Sequence, residues 1–161
     1  MLLPKRGVLL ALPLLVLAAC GFQPVYGPNG AGTALQNSVQ VDAPDDAFSY
    51  TLVREIETRL GRPNTPDYAL ALTVATREEG LAIDAEGNTT RFNLIGTVDF
   101  ALRNLDTGQI ESSGNVENFS GYSATGSTVA TLAAERDAQI RLMTMLADQI
   151  VTRLYAANLD Q

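Results

Sequence analysis

The sequence predicts an α+β fold in which two α-helices pack on a four-stranded sheet, in the order β-α-β-β-β-α, behind a lipoprotein signal peptide. Three observations lead to this prediction. Two segments carry apolar residues at helical spacing, one early in the domain and one at its end. Between them lie three segments that alternate apolar and polar residues and are separated by short turns. One helical stripe and one face of these strands bury each other in two layers.

Residues 1–19 have the pattern of a secretory signal peptide. Lys5 and Arg6 precede an apolar run, Val8 to Val16, which is shorter than the roughly 20 residues that span a bilayer. The run leads into Leu17-Ala18-Ala19-Cys20, which resembles the bacterial lipobox, and Cys20 is the single cysteine of the chain. We therefore expect cleavage between Ala19 and Cys20, and S-diacylglycerol and N-palmitoyl groups on Cys20. The alternative is an ordinary cleaved signal with a buried cysteine.

Residues 20–34 are predicted to be the lipidated N-terminus and a tether. Gly27 to Gly32 is rich in glycine and proline, which favours a flexible chain. Phe22, Val25 and Tyr26 are more apolar than a plain spacer requires. They pack on the domain, lie at the lipid surface or contact a partner, and their spacing does not separate these alternatives. Gly21, where an aspartate would favour the inner membrane, points to the outer membrane.

The domain is predicted to occupy residues 35–161 and to begin with a strand over Leu35 to Val41. Asp42 to Asp46 then carries acids and a proline, which favour the N-terminus of a helix. This helix is expected to end at about Leu60, because Gly61 suits the position after a helix and Pro63 prevents its continuation. The residues of its apolar stripe are Phe48, Leu52, Val53, Ile56 and Leu60.

Alternating patterns predict strands over Tyr68 to Thr76, Arg91 to Asn104 and Ile110 to Tyr122, with turns at Glu86-Gly87-Asn88 and Asp106-Thr107-Gly108. Arg77 to Glu79 is either a charged break or a continuation of the first strand towards Ile83. Val116 and Phe119 have opposite parity, which indicates a bulge or a weak edge strand in the last segment.

The last helix is predicted to be the longest element and to reach about Ala157, with Ser127 or Thr128 as its N-cap. One side of it is expected to face the core. Met143 is predicted to fill the core and Met145 to lie at the surface. The apolar residues assigned to the buried side are Leu132, Ile140, Leu142, Met143, Leu146, Ala147, Ile150 and Leu154.

Composition argues against several classes of function. The formal charge is −7, and loss of Lys5 and Arg6 makes it −9, which is unlike a nucleic-acid-binding surface. The chain has no histidine and no Gly-x-Ser-x-Gly motif, so no catalytic or metal site and no cofactor is predicted. Glu78-Glu79 is interpreted as a solvated pair whose side chains point apart, Asp45-Asp46 as a helix start, and Asp99 as exposed or paired with an arginine. We expect the protein not to be an enzyme.

The segment Leu-Ala-Ala-Cys20-Gly-Phe-Gln-Pro-Val-Tyr-Gly27 resembles the opening of the LptE family of lipopolysaccharide-assembly lipoproteins in its alphaproteobacterial form. The order of the later elements agrees with that family, from Asp45 to Leu60 through to Glu135 to Tyr155. The resemblance implies a non-enzymatic lipoprotein, lipid-anchored on the periplasmic side of the outer membrane. It also implies that the protein plugs and helps assemble the LptD β-barrel and takes part in lipopolysaccharide transport.

One departure from the family concerns a loop between central strands, where better-known members carry basic residues thought to contact lipid A phosphates. Here the matching turn, Asp84 to Asn88, is acidic, so that site is not carried over. Arg77 and Arg91 are nearby cations that we consider as substitutes, although each is more often a solvated strand charge. The alternative function is a stand-alone envelope lipoprotein that binds a lipid or another envelope protein.

Overall fold

The computed structural model describes Val25, Gly27, residues 30–157 and Leu159. In chain order the elements are α1 (Ala31–Leu35), β1 (Val39–Val41), α2 (Ala47–Leu60), β2 (Tyr68–Ile83), β3 (Thr89–Asn104), β4 (Ile110–Ser123) and α3 (Thr128–Tyr155). The four strands form one sheet in the order β1-β2-β3-β4, in which β1 is parallel to β2 and the other neighbours are antiparallel. This confirms the predicted α+β class with a four-stranded sheet and two main helices.

The first strand is shorter than predicted. Leu35 is fully buried at the end of the short helix α1, so the expectation of a strand from Leu35 to Val41 is wrong over its first half. Asn37 adopts a left-handed backbone conformation with φ 58°, which ends the helix and turns the chain into β1. The first four residues of α1 thus lie within the segment 20–34 predicted to be a tether, and the buried Leu35 that follows them belongs to the predicted domain.

Helix α2 begins and ends where the sequence predicts. Asp46 is its N-cap and accepts a hydrogen bond from the backbone N–H of Ser49, whose hydroxyl accepts one from the N–H of Asp46. This reciprocal capping box satisfies two N–H groups that the helix itself leaves unpaired. At the other end Gly61 has φ 79° and donates its N–H to the carbonyl of Glu57 at 2.8 Å.

Strands β2 and β3 form a long hairpin of 16 residues on each side. Their register runs from Tyr68↔Asn104 to Gly80↔Phe92 without interruption, so Arg77 to Glu79 continues the strand. Beyond Gly80 the register shifts twice before the turn at Asp84 to Asn88. Gly87 occupies that turn with φ +89°, a conformation that glycine adopts at little cost.

Strand β4 is an edge strand, as one of the two predicted alternatives states. Pairing with β3 is continuous from Ser112 to Ser123, so no bulge separates Val116 from Phe119. The two residues simply lie on opposite faces, with Val116 buried and Phe119 exposed. The register shift lies instead near Ile110, opposite Leu102 and Arg103.

Ser127 caps α3, and its side-chain oxygen accepts a hydrogen bond from the N–H of Ala130. Two predicted core residues are wrong, because Leu132 is 48% exposed and Ile140 is 47% exposed. The first ten residues of α3 bury no side chain, so a stripe extended back to Leu132 has nothing to pack against. Met143 is buried as predicted, whereas Met145 is half-buried against the core and not at the surface.

Both main helices cover the same face of the sheet, with α3 over β3 and β4 and α2 beside α3 near β1. Gly96 in β3 lets α3 approach closely, since a Cβ atom there would lie 2.9 Å from Cδ1 of Leu146. The core is therefore one layer between helices and sheet. Its fully buried large side chains include Leu52, Ile56, Leu60, Leu70, Leu102, Leu142, Met143, Leu146, Ile150 and Leu154.

Candidate functional site

The face of the sheet that carries no helix is the first candidate site. In β2, β3 and β4 the odd-numbered residues point to this open face, because the even-numbered ones supply the core. Towards β1 the open face is lined by small residues such as Ala71, Thr73 and Ala101, and towards the hairpin tip by charged ones. Such a face suits a polar neighbour or water better than a hydrophobic core.

Three charged side chains on the open face pair with one another. Arg77 forms ion pairs with Glu79 at 3.3 Å and with Glu117 at 3.7 Å, and Glu117 also accepts a hydrogen bond from the hydroxyl of Thr97. All three charged groups are more than half exposed, so these pairs contribute little to stability. Asp99 is exposed as predicted, but it accepts a hydrogen bond from the Asn115 amide at 2.8 Å and not from an arginine.

A small apolar patch interrupts this polar face. Ile95 and Phe119 are directly opposite each other on β3 and β4, and Ile95 is only 8% exposed while Phe119 is 59% exposed. A shallow depression beside them is lined also by Asn93, Glu117 and Asn118. The alternation of β3 placed Ile95 on its polar face, and the odd parity of Phe119 was the signal that pairs the two.

The structure does not bring Arg77 and Arg91 together. Both lie on the open face, but they are on neighbouring strands about 14 Å apart, since Arg91 is four residues along β3 from the residue opposite Arg77. Arg77 is paired with carboxylates, whereas Arg91 is exposed and forms no ion pair within the described part of the chain. A role of either side chain in lipopolysaccharide contact stays a prediction.

The turn at the hairpin tip is acidic, and its main carboxylate is already used. The backbone N–H groups of Asn88 and Glu86 donate to Asp84 at 2.8 and 3.1 Å. The hydrogen bonds from Asn88, the backbone one above all, lower the pKa of the Asp84 carboxyl group. This turn therefore holds its own shape and presents negative charge to solvent.

On the helix side of the hairpin, Tyr122 donates a hydrogen bond from its hydroxyl to Glu78 at 2.7 Å. Burial of the ring, together with the neighbouring Glu78 carboxylate, raises the pKa of the Tyr122 phenol. The ring of Phe92 stacks on that of Tyr122 with centroids 5.3 Å apart. Glu78 and Glu79 do point to opposite faces, and both are exposed, but the tyrosine contact of Glu78 was missed.

Among the described residues, no three side chains of the His, Cys, Asp and Glu types are placed to hold a metal ion. No described helix combines the length and the apolar character that a membrane span requires. Ala19 and Cys20 lie outside the described residues, so cleavage and lipidation there stay predictions.

The sequence model of the LptE family, described as lipopolysaccharide-assembly, matches residues 36–154. The chain belongs to the LptE family. A search of curated proteins finds no significant match. The LptE family is a family of non-enzymatic lipopolysaccharide-assembly lipoproteins of the cell envelope, linked in general to the lipopolysaccharide-transport machinery.

Solved structures of lipoproteins share the fold. A lipoprotein from Caulobacter crescentus CB15 has a TM-score of 0.66 at 23% identity, covering 78% of this chain and 93% of that one. The rare lipoprotein B from Shewanella oneidensis has a TM-score of 0.57 at 17% identity, covering 75% and 94%. A minor lipoprotein from Acinetobacter baumannii has a TM-score of 0.54 at 19% identity, covering 79% and 96%. At these identities the likeness concerns the fold alone.

Proposed function

We propose that this LptE-family protein plugs the LptD β-barrel, helps it assemble and takes part in lipopolysaccharide transport to the outer membrane. The observation that carries the proposal is the family match over residues 36–154, which spans β1 to the end of α3. The open face of the sheet agrees with it. The lumen of a large outer-membrane barrel is polar and wet, so a plug requires a polar face such as this one.

The proposal places the protein on the periplasmic side of the outer membrane, held there by lipid on Cys20. A single acyl chain anchors a protein only marginally, whereas diacylglyceryl and palmitoyl groups together anchor it stably. Mass spectrometry of protein from native membranes tests this step. We expect a chain that begins at Cys20 and carries both groups. An unmodified Cys20 thiol, or a chain that retains residues 1–19, would contradict the proposed anchoring.

Co-purification tests the partner. The tagged chain, extracted from outer membranes in mild detergent, is expected to form a stoichiometric complex with LptD. Depletion of the chain is expected to lower the amount of folded LptD and of surface lipopolysaccharide. Intact barrel and unchanged lipopolysaccharide after depletion would contradict the proposal. They would favour the alternative, a stand-alone envelope lipoprotein that binds a lipid or another envelope protein.

Arg91 is the better placed of the two arginines for direct lipopolysaccharide contact, because Arg77 already has two carboxylate neighbours. We expect Arg91→Ala to lower binding of purified lipopolysaccharide more than Arg77→Ala does. Arg103→Ala is the matched control, since Arg103 is also exposed on the open face but near the opposite end of β3. Equal binding by all three variants would remove both arginines from the contact.

A further inference from the structure

Side chains bond to three backbone groups on the outer edge of β4. Along this edge the backbone N–H and C=O groups of the odd-numbered β4 residues point away from β3. Arg153 donates to the carbonyl of Asn115 at 2.7 Å, and Arg141 donates to the carbonyl of Gly121 at 3.2 Å. The side chain of Asn118 accepts from the N–H of Phe119 at 2.9 Å. Proteins commonly block exposed sheet edges in such ways, because a bare edge pairs with other chains.

The outer edge of β2 is different. Strand β1 covers only Tyr68 to Leu70, and the last bond across runs from the N–H of Asp42 to the carbonyl of Leu70 at 3.0 Å. Because backbone direction alternates along a strand, the next residues that face this edge are Leu72, Val74, Thr76 and Glu78, which we call the open edge. Within the described residues, no backbone or side-chain group bonds to the backbone of these four.

A groove runs along the start of the open edge, between β2 and the N-terminal end of α2. Its lining includes Asp42, Asp45 and Asp46 but no lysine or arginine. Hydrogen bonds from the Ser49 side chain and backbone lower the pKa of Asp46, which keeps that carboxylate ionised. Leu72 and Val74 border the same groove and are only half-buried, because no element of the described chain covers them on this side.

We propose that the open edge is a strand-addition site for an extended, basic segment of a partner protein. Main-chain hydrogen bonds to the open edge would supply affinity, and cationic side chains in the groove would meet its three aspartates. A second copy of this chain fits poorly, because pairing two open edges would bring acidic groups together in a chain of formal charge −7. The two edges differ, because arginines of α3 bond to the edge of β4, whereas no described group bonds to the backbone of the open edge.

This inference is independent of the function proposed above, because its test requires neither barrel nor lipid. The probe is a ten-residue peptide that alternates valine and lysine, added to the purified full chain in detergent. Hydrogen exchange is expected to show new protection at the amides of Leu72, Val74, Thr76 and Glu78. A second peptide with glutamate in place of lysine, and a third with every other amide N-methylated, are both expected to give none.

Matched proline variants separate the two edges. Thr76→Pro removes one free N–H of the open edge and leaves the hydrogen bonds to β3, which use odd-numbered residues, intact. We expect it to weaken peptide binding by about tenfold or more. Ser113→Pro places the same change on the outer edge of β4 and is expected to leave binding unchanged. Circular dichroism confirms that both variants are folded before they are compared.

Charge variants test the groove. Asp42→Asn is expected to weaken binding of the lysine peptide by about threefold at low salt and by less at high salt. Asp106→Asn, an exposed acid at the distant β3–β4 turn, is the control and is expected to change nothing. Equal loss in both proline variants, or equal binding of the N-methylated peptide, would overturn the proposal. Dimerisation of the full chain that Thr76→Pro abolishes would also overturn it.

Discussion

The two halves of the long β2–β3 hairpin are built differently. From Tyr68 to Val74 one face of β2 lies under the helices, and its partners on β3 include the buried Val98, Phe100 and Leu102. We call this the covered half. Past Thr76 the strands continue as the projecting half, where nearly every β2 residue is exposed, including the apolar Leu81 and Ile83.

The two halves differ in how much they contribute to the stability of the domain. Burial of apolar area is the main term that stabilises a domain, and the covered half holds most of it. The β2 strand of the projecting half buries little, and this half keeps its register through the strand ladder, a stacked Phe92–Tyr122 pair and a self-bonded turn. Changes to buried side chains of the covered half are therefore expected to affect folding strongly, and changes in the projecting half to affect it less.

The largest effect is expected from Leu102→Ala in the covered half. Leu102 is fully buried, so the change loses transfer energy and leaves a cavity, at a cost of about 2–5 kcal/mol. Urea unfolding followed by circular dichroism measures it. Leu81→Ala is the matched control in the projecting half, where the side chain is 55% exposed, and should stay within about 0.5 kcal/mol of wild type. Equal losses would abolish the distinction between the halves.

Asp46→Ala comes next, because it removes the N-cap of α2 beside the covered half. Loss of such a cap costs about 0.5–2 kcal/mol. Hydrogen bonds from Ser49 lower the pKa of Asp46, so its contribution is present above the unfolded pKa of about 3.9 and is lost as pH falls through the lower folded value. Stability of wild type should thus decline more steeply than that of Asp46→Ala in acid. Parallel curves would contradict this.

A smaller effect is expected from Tyr122→Phe, which breaks the hydrogen bond to Glu78 in the projecting half. At neutral pH the cost should be about 1 kcal/mol or less. Burial raises the pKa of Tyr122, so the folded state resists deprotonation and wild type loses stability as pH rises above the unfolded value of about 10. The variant should lose less over the same range. Burial also raises the pKa of Tyr68, so Tyr68→Phe is the variant with which Tyr122→Phe is compared over the same pH range.

The smallest global effect is expected from Asp84→Ala at the tip. Its hydrogen bonds hold only the turn, and the side chain contacts no core residue. Urea midpoints should be unchanged, whereas the amide of Asn88 should exchange faster with solvent. A shift of the midpoint comparable to that of Asp46→Ala would show that the turn is coupled to the core.

Local patterns in the sequence predicted most of the covered half. Alternation placed β2 and β3, and the Asp46 and Gly61 signals placed α2, because each depends on neighbours in the chain. Leu35 and Leu132 failed for the opposite reason. The outcome for each depends on how distant elements pack: Leu35 is buried within α1 and not in a strand, and no described element covers Leu132.

The candidate sites were less predictable than the fold. Ile95 and Phe119 lie opposite each other because of the register in which β3 and β4 pair, and that register could not be predicted from the sequence. The arginines of α3 that block the edge of β4 read as ordinary helix-surface charges. The open edge follows from the end of β1 at Val41, because after Asp42 the chain leaves the sheet and leads to the N-cap of α2 at Asp46.

Strand β1, where the chain enters the sheet, and the turn at Asp84 lie at opposite ends of the sheet. Ser38 bonds to the first residue of β2, and Arg153 near the end of α3 bonds to Asn115 in the first half of β4. The short helix α1 contacts α3, so the first and last described elements lie towards the same pole. From that pole β2 runs 16 residues, or about 50 Å, to the other. The length of the strands therefore sets how far the tip lies from this pole. Deleting two residues from β2, together with the two residues paired with them on β3, would bring the tip about 7 Å closer without changing the packed layer.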